Sequence, residues 1–235
     1  MKKQLLTAAL LAAGLTGIGA AQAALINIGT AQTQFTYGVV AGSPLQVWTG
    51  NTIQQQDKLF TLDNANSDLA ATTIFTFNFS SGAGGADQHG ISWVPVNPGL
   101  PQSYQLSYVV DITPAAILAG AKFTIVTVGV DTANSCFATP TSTCSEATKN
   151  IYEDISGSNL LQTITASQNS GGVATSSVAG RTSLYINETV QWNNSQLNAV
   201  SNIFIENQGV PEPDSIALLG IGLVSMVFGR RAMKK

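Results

Sequence analysis

His89 is the only histidine in the chain, two residues after Asp87 in GGADQHG. An imidazole and a carboxylate at that spacing suit a metal ion or an acid–base pair. One of each falls short of the donor set of a zinc site, so the segment reads as a solvated loop tip and no metal or other cofactor is expected. A Ser-His-Asp triad would have to recruit the same His89, and no Gly-x-Ser-x-Gly elbow presents a nucleophile. Glycoside hydrolysis needs only two carboxylates. Asp111, Glu188 and Glu206 are acids that fall near strands. Glu188 sits on the otherwise apolar face of TSLYINETVQW. That position implies a buried acid with a raised pKa or, more simply, a bulge or tight turn at Asn187-Glu188 that flips the register.

Other residues offer weaker chemistry. DNANSD, Asp63 to Asp68, clusters the hard oxygens that calcium prefers. Ala65 stands where a ligand belongs and no distal glutamate follows in register, so an Asx-rich turn is expected. Trp48, Trp93, Trp192, Tyr37 and Tyr185 could stack on sugars if exposed. Trp192 shares the parity of Leu184 and Ile186, which places it in the core, whereas Tyr185 points the other way and is the better candidate for exposure. Cys136 and Cys144 lie in a polar stretch; a disulfide is the expectation for an exported chain, with free thiols or half a metal site as alternatives.

The elements that must position these residues are strands. SYQLSYVVDI alternates, with Tyr104, Leu106, Tyr108, Val110 and Ile112 on one face. TTIFTFNFS sets Thr73, Phe75, Phe77 and Phe79 together, and TSLYINETVQW does the same with Leu184, Ile186, Val190 and Trp192. KFTIVTVGV is nearly continuous, which suggests a strand buried on both faces. Weaker strands are expected at Leu25–Gly29, Gln34–Val40, Leu45–Trp48, Lys58–Leu62, Ile91–Val94, Leu160–Ala166 and Asn202–Glu206. Thr113 to Ala121 reads as a short helical turn. Many short, half-polar strands indicate an all-β antiparallel sandwich, with a β-barrel as the alternative.

Charged residues make up only 10% of the chain, and hydrophobic ones 44%. Between Ala24 and Gly209 four basic residues face eleven acidic ones, a net charge of about −7. A body this acidic is not built to neutralise phosphates, so nucleic acid is excluded as a partner.

Both ends read as addresses. Lys2 and Lys3, an apolar stretch from Leu5, and Ala21-Gln22-Ala23 form a signal peptide over residues 1–23, read by the export translocon and signal peptidase. At the other end, Ile216 to Phe228 is apolar and spans about 20 Å as a helix, short of a bilayer core of about 30 Å. Arg230 and Arg231 follow it, and such cations stay on the cytoplasmic side. Pro211-Glu212-Pro213 precedes it. Tripeptide, short apolar helix and arginine pair, in that order over residues 210–235, resemble the PEP-CTERM sorting signal of Gram-negative bacteria. The resemblance implies recognition by exosortase, a transient stay at the inner membrane, processing near the tripeptide, and delivery to the cell surface or its exopolysaccharide.

The domain plan is thus a signal peptide, an extracellular β domain over 24–209 and the sorting signal. The function expected is structural, adhesive or exopolysaccharide-associated, without catalysis. A secreted polysaccharide hydrolase and a calcium-dependent adhesion module are the alternatives.

Overall fold

The computed structural model describes residues 24–81, 86–94, 102–132, 145–167, 172–192 and 197–207. The first half contributes β1 (Ala24–Asn27), β2 (Thr33–Thr36), β3 (Gln46–Val47), β4 (Asn51–Gln55), β5 (Lys58–Leu62), β6 (Ile74–Ser81), β7 (Ala86–Val94) and β8 (Gln102–Ile112). A short helix, α1 (Pro114–Leu118), separates these from β9 (Lys122–Thr132), β10 (Glu146–Tyr152), β11 (Leu160–Ser167), β12 (Val173–Arg181), β13 (Ser183–Trp192) and β14 (Leu197–Asn207). Among the described residues the strands form two seven-stranded sheets. The first runs β1-β4-β5-β8-β13-β10-β11 and the second β12-β9-β14-β7-β6-β2-β3.

The sandwich expected from the alternating pattern is the fold found, and the sheets do not close into a barrel. Each sheet is mixed rather than wholly antiparallel, because β1 joins β4 and β2 joins β3 in parallel. Period-two alternation explains the core. Leu106, Tyr108, Val110 and Ile112 of β8, and Phe75 and Phe77 of β6, are all buried between the sheets. Aromatic rings meet edge-on there: Trp48 lies 4.7 Å from Phe75, and Phe60 lies 5.3 Å from Phe77, between ring centres. Such contacts add to the burial of large apolar surfaces.

Two further expectations need correction, and strands β4, β10 and β12 come in addition to those expected. The Gly-rich stretch up to Gly90 is partly strand, because β7 already starts at Ala86. Strand β9 is not buried on both faces; Thr124, Ile125 and Thr127 are only half covered. A bulge at Thr124 shifts the register against β14, which lets Phe123 face the core alongside Val126 and Val128.

Two connections use left-handed backbone. A two-residue turn joins β4 to β5, with Gln56 at φ 52°, the only non-glycine residue in the left-handed region among the described residues. It delivers Asp57 beside Lys58. Where the chain crosses from β11 to β12, and so from the first sheet to the second, Gly172 adopts φ 76°. A side-chain carbon there would lie 2.9 Å from the Val130 carbonyl oxygen.

Candidate functional site

Strand parity builds two charged centres inside the sandwich. Strand β5 puts Lys58 on the same side as Phe60 and Leu62, and all three are buried. Strand β7 turns Asp87, His89, Ile91 and Trp93 inward, and β14 turns Val200, Asn202, Phe204 and Glu206 inward.

At the first centre, Lys58 Nζ donates to Asp57 Oδ1 at 2.8 Å and to Glu206 Oε2. This links the β4–β5 turn and the first sheet to the second. His89 completes the group, with Nε2 3.4 Å from Asp57 Oδ1 and its ring 5.1 Å from that of Phe79. His89 is therefore no solvated loop tip: it is fully buried in β7, and neither ring nitrogen has a hydrogen-bond partner. Burial, reinforced by the Lys58 charge, drives the His89 pKa down to about 3. Burial and the neighbouring Asp57 carboxyl push Glu206 up to about 7 against the pull of Lys58. Burial also acts to raise Asp57, but hydrogen bonds with Glu206 and Lys58 prevail and its pKa is lowered. Donor atoms of Asp57, His89 and Glu206 lie within 4.8 Å of one another. That grouping suits a divalent cation, but Lys58 supplies the positive charge at its centre.

At the second centre, β13 runs unbulged against β8 from Ser183 to Trp192. The expectation of a register flip at Asn187-Glu188 is overturned: Glu188 is fully buried, where plain alternation puts it. It pairs in register with Lys149 of β10. Trp93 Nε1 donates to Glu188 Oε1 at 2.8 Å, and Asn202 Nδ2 stands 3.5 Å from the same oxygen. Lys149 Nζ lies 3.7 Å from Glu188 Oε2. It donates to the Thr127 carbonyl at 3.2 Å and stands 5.2 Å from the centre of the Phe204 ring. Burial raises the Glu188 pKa, opposed by Lys149 and by the Trp93 hydrogen bond. Burial lowers Lys149 to about 8, opposed by Glu188. Sequence reasoning misses Lys58, Lys149 and Asn202 as site residues. The signal is present: Lys149 shares its parity with Ala147 and Ile151, and Asn202 with Val200 and Phe204.

The remaining candidates disperse. Asp111 lies on the opposite side of β8 from buried Val110 and Ile112 and joins neither centre. DNANSD forms the expected Asx turn over the outer face of the first sheet. Asp63 accepts from the Ala65 amide at 3.1 Å, from Asn66 Nδ2 at 2.9 Å and from Tyr185 Oη at 2.9 Å. A calcium ion would have to compete with all three. That loop covers Tyr185, which is buried rather than exposed, and Trp48, Trp93 and Trp192 are buried too. Tyr37 is half-buried. None of the three tryptophans forms a sugar platform.

The outer faces carry uncharged polar rows instead. Thr52 meets Thr61 at 3.0 Å, Thr148 meets Thr165 at 3.0 Å, and Thr163 donates to Asn150 at 2.7 Å. On the second sheet a shallow groove of about 190 Å³ crosses β6, β7 and β14 at Gly90, lined by Asn78, Ser80, Gln88, Ser92 and Ser201.

Cys136 and Cys144, the cleavage-site residues Ala21 and Ala23, and the apolar helix expected at 216–228 lie outside the described residues. So do Pro211, Glu212, Pro213, Arg230 and Arg231. Among the described residues no helix is long and apolar enough to cross a membrane.

Fold and tail together define an exported β-sandwich protein with a carboxyl-terminal sorting motif. Residues 209–232 match the family model of the PEP-CTERM protein-sorting motif, so the tail resemblance is established. The motif marks the chain as an exosortase-targeted product sorted to the cell surface. No curated protein and no solved structure matches the chain.

Proposed function

We propose that the body is a non-catalytic structural or adhesive element of a Gram-negative cell surface and its exopolysaccharide, held briefly at the inner membrane before release. The carrying observation is the sorting motif at 209–232 on a sandwich whose described outer faces include rows of hydroxyl and amide groups. The groove at Gly90 supports the exopolysaccharide association. Its hydroxyl and amide side chains alternate with the apolar Phe79, Ile91 and Ile203, an uncharged mixture that suits the hydroxyls and the apolar faces of a neutral sugar chain. The buried ionic centres support a role in holding the two sheets together. Asp57 and Glu206 are both bound by Lys58, and Glu188 is fully buried and held by Trp93, which leaves none of these acids free at an open cleft and weighs against the hydrolase reading.

Expression of the full-length chain in a host with and without exosortase tests the address. Processing predicts a product ending near Pro211–Pro213 by mass spectrometry only when the enzyme is present. An intact Lys235 terminus on every molecule in both hosts rejects it. Co-sedimentation of the purified protein with extracted exopolysaccharide tests the occupation. Retention is expected, whereas no retention together with release of reducing sugar would favour the hydrolase.

A further inference from the structure

Lys149, Glu188 and Asn202 gather an amine, a carboxyl and a carboxamide in the interior, and surface adhesion uses none of them. Glu188 offers one oxygen to each neighbour: Oε2 lies 3.7 Å from Lys149 Nζ, and Oε1 lies 3.5 Å from Asn202 Nδ2. As a mere stabilising network the arrangement is poor. Glu188 Oε2 and Asn202 Oδ1 are buried without hydrogen-bond partners, although buried polar atoms are nearly always satisfied. Replacing such a pair with apolar side chains is often neutral or stabilising. The first centre differs: Lys58 there is bonded to two carboxylates, and the buried Gln55 carboxamide opposite it on β4 hydrogen-bonds to neither of them.

We propose that Lys149 and Asn202 join in an intramolecular isopeptide bond, with Glu188 as the proton carrier. The uncharged Lys149 Nζ attacks Asn202 Cγ, and a new carbon–nitrogen bond forms. Glu188 removes a proton from Nζ through one oxygen and delivers a proton to Nδ2 through the other. The bond between Cγ and Nδ2 breaks, ammonia leaves, and Glu188 returns to its starting state. No oxidant or cofactor is consumed. The surroundings favour each part. Burial disfavours the charged forms of both Lys149 and Glu188, which raises the fraction of free amine and carboxylic acid in the pair. The Trp93 indole fixes Glu188 Oε1 at 2.8 Å. Trp93, Tyr108 and Phe204, all fully buried, keep bulk water from competing for the carboxamide. The product would tie β10 in the first sheet to β14 in the second.

Peptide mapping of the full-length protein, folded and then denatured for tryptic digestion, decides the matter. The expected result is no cleavage after Lys149 and a branched peptide containing Lys149 and Asn202, lighter than its two parts by one ammonia. In Asn202→Asp the same branch should be lighter by one water instead. Glu188→Gln should return both linear peptides while circular dichroism retains the sheet signal; should that variant fail to fold, the wild-type map decides alone. Linear peptides cleaved after Lys149 in the folded wild type overturn the proposal. So does an ammonia loss mapped to any other residue, or one that persists in Asn202→Asp.

Discussion

Lys58 and Glu206 lie 148 positions apart and on different sheets, yet their charged groups bond directly in an environment closed to solvent. The pair pins the β4–β5 turn to the last strand of the body. Removing one partner of a buried ion pair leaves the other uncompensated and costs about 3–5 kcal/mol. Lys58→Met is therefore expected to lose that much in urea unfolding. The double variant Lys58→Met/Glu206→Leu should regain part of it. A single variant as stable as wild type would show that the pair holds nothing.

The same centre sets a pH profile. Glu206 moves from 4.5 to about 7 in the folded protein. A raised pKa means that the fold binds the proton more tightly, so this contribution is full below pH 4.5 and lost as pH rises to about 7. His89 moves from 6.5 to about 3, and its contribution is full above pH 6.5 and lost as pH falls to about 3. Between pH 4.5 and 6.5 the two slopes oppose each other. Stability is expected to be nearly flat there and to decline on both sides, with Asp57, whose pKa is lowered, adding to the acid-side loss. His89→Gln should remove most of the acid-side decline and leave a steady loss with rising pH across the former plateau. Urea midpoints measured in steps from acid to neutral would reveal this, and superimposable profiles for variant and wild type would count against it.

Gly172 occupies the crossing between sheets at φ 76°, and a methyl group there would meet the Val130 carbonyl oxygen at 2.9 Å. Backbone strain and this contact add, so Gly172→Ala is expected to destabilise by about 1–3 kcal/mol. Differential scanning calorimetry should show a lower midpoint; an unchanged one would mean that the crossing has room to adjust.

Gly90 offers the opposite case. A side-chain carbon there finds its nearest neighbours at 3.6 Å, an ordinary contact. Gly90→Ala should leave stability within about 0.5 kcal/mol, yet narrow the groove between Asn78 and Ser201. Exopolysaccharide retention is expected to fall several-fold in co-sedimentation. Retention equal to wild type would place the polysaccharide contact elsewhere.

Alternation makes the sandwich legible, since Tyr104 to Ile112 and Phe75 to Phe77 announce a face that only a second layer can cover. The polar strands are not legible, because EATKNIY and VATSSVAGR carry too few large apolar residues to stand out from a loop. The centres escape notice for a related reason. A lysine or glutamate at an inward position contradicts the usual rule for burial, so Glu188 reads as a bulge and Lys149 draws no notice. Nothing local distinguishes such a residue from an exposed one until its partner arrives from the other sheet. His89 reads as a loop residue because the glycines just before it suggest a turn, although Asp87, His89, Ile91 and Trp93 keep strict strand parity.

Among the described residues strand β14 is the last in the chain, yet it lies in the middle of its sheet, between β9 and β7. An export channel that passes the chain from its amino end releases those two neighbours first, each with an unsatisfied edge. Until residues 197–207 emerge, the second layer stays split and open to pairing with foreign strands. Assembly of the second layer thus waits on the emergence of residues 197–207, and a chaperone that shields unpaired strands would be most needed in that interval.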